Sequence, residues 1–128
     1  GKTVGILGLG AIGRETAKIC KGCGMRIAAY DPFMTKEQVE GYGAKYYEDY
    51  VELLKDSDVV SIHVPLTDQT RNMISKKELS VMKPTALIIN CSRGGIINEA
   101  DLVEALNNGV IAEQTYSAAS HQKQMIRY

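Results

Sequence analysis

Thr3-Val4-Gly5-Ile6-Leu7-Gly8-Leu9-Gly10-Ala11-Ile12-Gly13 opens the chain, and Tyr30-Asp31 follows 18 residues after the third glycine. An apolar run, a G-x-G-x-x-G turn, a helical stretch and a second apolar run ending in an acid form the pattern of a dinucleotide grip. Gly8 suits the tight turn from strand to helix. Gly10 removes the Cβ that would keep a pyrophosphate away from the backbone, and Gly13 lets the helix lie close to the sheet. The helix N-terminus offers free N–H groups to phosphate oxygens. The carboxylate of Asp31 can accept the hydroxyls of a ribose. Glycine triplets arise by chance; a strand before, a helix after and the acid at this distance make the pattern specific.

Outward from this stretch, strand-like and helix-like segments alternate. Strands are expected at Thr3 to Leu9, Arg26 to Tyr30, Ala44 to Tyr47, Val59 to His63, Ala86 to Asn90 and Ile111 to Tyr116. The first helix runs from Ala11 to Lys21, with Ile12, Thr16, Ile19, Cys20 and Cys23 on one face and Gly22 and Gly24 placed to end it. Capping boxes at Thr35-x-x-Gln38 and Ser75-x-x-Glu78 open two further helices, the second closed by Pro84. A short helix is expected around Tyr50 to Leu54, and Asn98 caps another over Glu99 to Leu106. The fold class is therefore α/β: a Rossmann-type, doubly wound parallel sheet in three layers.

Composition narrows the function classes. With 128 residues, 45% of them hydrophobic, there is room for one globular core. Fifteen basic and fifteen acidic residues cancel, which argues against nucleic-acid or membrane-surface partners, and no apolar run reaches spanning length. No charged-then-apolar leader precedes the first strand, so a cytoplasmic location and an excised domain are the expectations. Cys20-Lys21-Gly22-Cys23 could be a redox pair or half a zinc site. It falls where the first helix ends rather than at the N-terminus that lowers thiol pKa, so buried, reduced thiols are the preferred reading. Tyr42, Tyr46, Tyr47 and Tyr50 are expected to pack around the third strand, and Lys76-Lys77-Glu78 to be a solvated helix start.

Three later stretches carry a resemblance. Ser61-Ile62-His63-Val64-Pro65-Leu66-Thr67, Met82 through Gly95, and Ile97-Asn98-Glu99-Ala100-Asp101-Leu102, taken with the glycine turn and Tyr30-Asp31-Pro32, resemble the cofactor domain of the D-2-hydroxyacid dehydrogenases over residues 2 to 112. The resemblance implies a cofactor site of Gly8, Gly10, Ala11, Ile12, Gly13 and Asp31, in which Ala11 and Ile12 give backbone N–H groups to the pyrophosphate of NAD from the turn the glycines shape and Asp31 holds the adenosine ribose. Aspartate there repels a 2′-phosphate, which favours NAD over NADP. Val64 and Pro65 would lie past the fourth strand beside the cofactor, with Cys91 and Ser92 next to the nicotinamide. Arg93 would be the catalytic residue of this span: its guanidinium can bind the carboxylate of a 2-oxo or 2-hydroxy acid and polarise the C2 oxygen. His63 is assigned to packing near the cofactor, and His121 to a solvated tail. A homodimer paired through this domain is the assembly the family suggests.

The pattern breaks at Glu113. Counted without gaps, Ser117 and Gln122 stand where the family carries an aspartate and the glutamate that supports its catalytic histidine, and that histidine lies beyond this chain. Residues 1–117 are thus expected to be an NAD-binding domain and 118–128 a divergent tail. Isolated, the span should be inactive or nearly so. A non-catalytic NAD-binding sensor module and a folded, nonfunctional fragment remain as alternatives.

Overall fold

The computed structural model describes residues 1–91 and 95–109, together with the backbone of two short strands, Thr115–Ser117 and Met125–Ile126. The elements run β1 (Thr3–Leu7), α1 (Ala11–Gly22), β2 (Arg26–Tyr30), α2 (Lys36–Gly41), β3 (Lys45–Tyr46), α3 (Tyr50–Asp56), β4 (Val59–Ile62), α4 (Lys76–Val81), β5 (Leu87–Asn90), α5 (Glu99–Asn107), β6 (Thr115–Ser117) and β7 (Met125–Ile126). They build one sheet of order β3-β2-β1-β4-β5-β6-β7. The pairs from β3 through to β6 are parallel. β7, a strand that periodicity did not announce, adds antiparallel to β6.

Both faces of the sheet are covered, which is why the central strands read as unbroken apolar runs. Alternate residues divide between two cores. Val4, Ile6, Ile27 and Ala29 meet Ala17 of α1 and Val39 of α2. Leu7, Ala28, Val60, Ile62 and Ile88 meet Leu53 and Leu54 of α3, Leu79 of α4, and Leu102, Ala105 and Leu106 of α5. The period of two along each strand separates the faces. A helix on each side then closes the three layers.

The structure corrects several local expectations. β1 ends at Leu7, not Leu9, because Gly8 turns to φ +94° and its N–H bonds the Tyr30 carbonyl at 2.9 Å. On α1 the buried face is Gly13 and Ala17, whereas Ile12 and Ile19 are 68% and 65% exposed. The larger apolar side chains could be counted as a face, yet only small ones fit at the helix–sheet distance. β3 shrinks to two residues and β6 starts later than expected, at Thr115. Cys23 is exposed rather than buried. Glu78 is buried and reaches back to the Ser75 N–H at 3.0 Å and its hydroxyl at 2.8 Å, so this helix start is not simply solvated. Tyr46, Tyr47 and Tyr50 pack against the cores as expected. Tyr42 instead lies outward, under the Arg14 guanidinium, which donates to its hydroxyl at 2.8 Å.

Candidate cofactor site

β1 sits where the winding reverses: β2 and β3 extend the sheet to one side, β4, β5 and β6 to the other. At such a switch point the connections leave in opposite directions and open a crevice beyond the carboxyl ends of the strands. The ends are aligned by register, Leu7 with Ile62 and Ile62 with Asn90. That alignment places Gly8, His63 and Cys91, each the residue just past its strand, along one rim.

The glycines at this rim differ in what surrounds them. A Cβ on Gly13 would collide with the carbonyl oxygen of Gly8, so α1 can lie this close to the turn only with glycine there. At Gly8 the positive φ coincides with close approach: a Cβ would stand 3.0 Å from the backbone of His63 and Val64. Gly10 has nothing within 4 Å of its would-be Cβ, and its φ is −76°. Nothing within the described residues demands glycine at position 10. Gly22, Gly24, Gly41 and Gly109 are equally open, so what sets Gly10 apart is its place at the N-cap of α1.

The N-terminus of α1 differs from the others in the same direction. Thr35 caps α2 by accepting from Gln38 N–H, Asp49 caps α3 by accepting from Val51 N–H, and Asn98 caps α5 by accepting from Asp101 N–H. At α4 the Glu78 carboxylate reaches back to Ser75. Each of these helices also has an acid in its first turn. α1 has Gly10 at the N-cap, no side-chain cap and no acid in its first turn. Its positive end is open to an anion from outside. Ala11 and Ile12, whose amides belong to this turn, are exposed.

Asp31 follows β2 and is bound into the turn. Its Oδ2 accepts the Leu9 N–H at 2.9 Å and its Oδ1 the Phe33 N–H at 2.9 Å. The acid is thereby oriented by the loop that would hold the phosphates, with each carboxylate oxygen retaining capacity for a further donor. Sequence reading found the acid and missed its bond to Leu9, because spacing alone does not say which amide the second strand's end will meet.

Across the crevice, Val64 is buried at 5% exposure and Pro65 is exposed, both past the end of β4. The His63 N–H bonds the Leu7 carbonyl at 2.7 Å, extending the β1–β4 ladder by one residue. Its Nε2 lies 2.7 Å from the buried Ser61 hydroxyl, and burial pushes the imidazole below its ordinary 6.5. A neutral, half-buried ring tied to its own strand fits the packing role expected of it. Cys91 is half-buried, with its N–H on the Ile62 carbonyl at 3.0 Å.

Ser92 and Arg93 lie outside the described residues, as do His121 and Gln122. The described chain resumes at Gly95, which is tied to the segment around Asn72. Gly95, at φ +102°, accepts the Asn72 N–H at 2.6 Å and faces Leu66, and the Ile74 N–H bonds the Ile96 carbonyl at 3.1 Å. Asn72 itself takes φ +54°, a conformation that asparagine tolerates better than most residues. Sequence reading overlooked this clamp. Among the described residues no cluster of His, Cys, Asp and Glu could hold a metal ion, and no helix is long and apolar enough to cross a membrane.

Comparison with known proteins agrees with this geometry. Residues 1–118 match the model of the D-isomer specific 2-hydroxyacid dehydrogenase NAD binding domain. A D-3-phosphoglycerate dehydrogenase of Methanocaldococcus jannaschii is 46% identical over 111 residues, covering 87% of this chain and 21% of that protein. A glyoxylate reductase of Thermococcus litoralis is 49% identical over 112 residues, covering 88% of this chain and 34% of the relative. The NAD-complexed D-isomer specific 2-hydroxyacid dehydrogenase of Lactobacillus delbrueckii ssp. bulgaricus superimposes with a TM-score of 0.82 at 39% identity, over 91% of this chain and 34% of that one. The chain thus spans between about a fifth and a third of the length of these proteins. An uncapped helix start and an acid strapped to the turn fit an NAD site, and the matched model establishes that the chain belongs to the D-isomer-specific 2-hydroxyacid dehydrogenase family, as its NAD-binding domain.

Proposed function

We propose that residues 1–117 hold NAD(H) for an enzyme that interconverts a short D-2-hydroxy acid and its 2-oxo acid. The observation that carries the reading is the open N-terminus of α1, where Gly10 stands at the N-cap with no side-chain cap and no acid in the first turn. Ala11 and Ile12 bring backbone amides to the pyrophosphate from a turn shaped by Gly8, Gly10 and Gly13, and Asp31 accepts from the adenosine ribose. Val64 and Pro65 line the opposite wall, and Cys91 and Ser92 lie beside the nicotinamide. When bound, the coenzyme supplies the hydride acceptor or donor at C4.

Arg93 acts on the substrate. A planar guanidinium pairs with the carboxylate and withdraws charge from the C2 oxygen, which lowers the barrier to hydride arrival at C2. Its support here is the motif it occupies, with Gly95 two residues on held by its bond to Asn72. The proton on the C2 oxygen needs a general acid, a contribution of roughly 10²- to 10⁴-fold in rate. Gln122, at the family's glutamate position, is not a carboxylate, so the span lacks that part of the family's proton route and is nearly inactive alone. In the intact protein we place the enzyme in the cytoplasm as a homodimer paired through this domain.

Titration of the chain with NADH, followed by nucleotide fluorescence, tests the binding step. Added glyoxylate, hydroxypyruvate or pyruvate then tests turnover. Saturable NADH binding with negligible turnover is expected, and turnover should appear when the chain carries a covering substrate domain. Absence of NADH binding refutes the proposal. Binding with no turnover in the two-domain protein would favour a sensor module.

A further inference from the structure

At the far end of α1 from the glycine turn, Cys20 and Cys23 occupy the last helical turn and its cap. The Cys23 N–H bonds the Cys20 carbonyl at 3.0 Å and the Ile19 carbonyl at 3.1 Å, so the two residues span one closed turn. Residues three apart in a helix have Cα atoms about 5 Å apart and share a face, within the ~4.4–6.8 Å that a disulfide bridges. Cys20 is half-buried against the core beneath α1, whereas Cys23 is exposed. Gly22 precedes Cys23, and Gly24 follows it at φ +85°, with nothing within 4 Å of either would-be Cβ. Both glycines flanking Cys23 are thus uncrowded.

We propose that Cys20 and Cys23 are an oxidative modification site, closing to an intramolecular disulfide when the protein meets a low-molecular-weight disulfide such as oxidised glutathione. The exposed Cys23 thiolate attacks one sulfur of the oxidant, forming a mixed disulfide and releasing one glutathione thiol. Cys20, as thiolate, then attacks the Cys23 sulfur, the mixed bond breaks, and the second glutathione leaves as a thiol. Two electrons and two protons pass from the cysteine pair to the oxidant, which is reduced to two thiols. The helix end that argued against a fast redox thiol bears on the stability of the product. Burial, then the neighbouring Cys23, raise the Cys20 thiol pKa, and a helix C-terminus disfavours negative charge. A dithiol whose thiolate is not stabilised forms its disulfide slowly and gives it up reluctantly. This site is independent of the NAD reading, since it uses none of the residues at the crevice.

The test is thiol mapping of the folded chain. The protein is equilibrated in oxidised glutathione, its remaining thiols are alkylated under denaturing conditions, and the peptides are weighed. The expected result is a monomer lacking the hydrogens of two thiols, with Cys20 and Cys23 joined and Cys91 alkylated. Cys91→Ser should leave that result unchanged, and Cys23→Ser should abolish it. The same equilibration in urea should give a smaller cross-linked fraction, since the unfolded chain lacks the turn. Two free thiols, arrest as a glutathione adduct on Cys23, a bond to Cys91 or to a second chain, or equal yield in urea would each overturn the inference.

Discussion

α1 and α5 flank the same sheet on opposite faces and are built by opposite rules. α5 buries Leu102, Ala105 and Leu106, and Asn98 closes its start by accepting the Asp101 N–H at 3.0 Å. α1 buries only Gly13 and Ala17, exposes its isoleucines and leaves its start without a side-chain cap. α5 is a stabilising element: it removes apolar area from water and satisfies its own terminus. α1 gives up both so that its axis can approach the sheet and its first amides can face the crevice. α1 is set apart from α5 by the stabilising features it lacks.

The contrast is open to breakage at its strongest point. Gly13→Ala drives a methyl group into the Gly8 carbonyl and should cost about 1–3 kcal/mol, visible in denaturant unfolding, because backbone has to move to relieve it. Gly10→Ala should leave stability within about 0.5 kcal/mol, since the methyl group enters open space, yet weaken NADH binding about tenfold or more through lost approach to the amides. If the two substitutions behaved alike, the distinction between a packing glycine and a ligand glycine would fail. Asp31→Ala should weaken NAD binding by a similar factor, about 1–2 kcal/mol, and narrow the preference over NADP. Parallel titrations with both nucleotides read this, and unchanged affinities would remove Asp31 from the site.

Smaller effects sharpen the helix comparison. Asn98→Ala should cost about 1 kcal/mol, the worth of an N-cap, while leaving NADH affinity unchanged. Acid bears on the opposite wall of the crevice. Burial depresses the folded-state pKa of His63, so its contribution to stability is present above the ordinary imidazole value of 6.5 and is lost as pH falls through the lower folded value. His63→Gln should therefore reduce the pH dependence of unfolding just below pH 6.5. An unchanged slope would mean that the ring does not titrate differently on folding.

Much of the architecture is written in local pattern. β2 falls where its apolar run and Asp31 placed it, and the Thr35 capping box forms with both of its bonds. Boundaries shifted where a single backbone angle decided them, as at Gly8. The candidate site was proposed from sequence as a set of residues, since a glycine turn and an acid at fixed spacing specify backbone conformations and a charge.

Sequence by itself determined that this chain alternates strands with helices, carries a dinucleotide turn, and places an acid after its second strand, because these follow from periodicity and from what glycine and aspartate uniquely allow. Tertiary structure alone decided which face of α1 is buried, since only the distance between helix and sheet selects Gly13 and Ala17 over Ile12 and Ile19. It also decided that the Leu9 amide meets Asp31 and that Ser61 meets His63. Spacing along the chain fixes which groups are available. Their pairing depends on how strands from distant segments are brought into register.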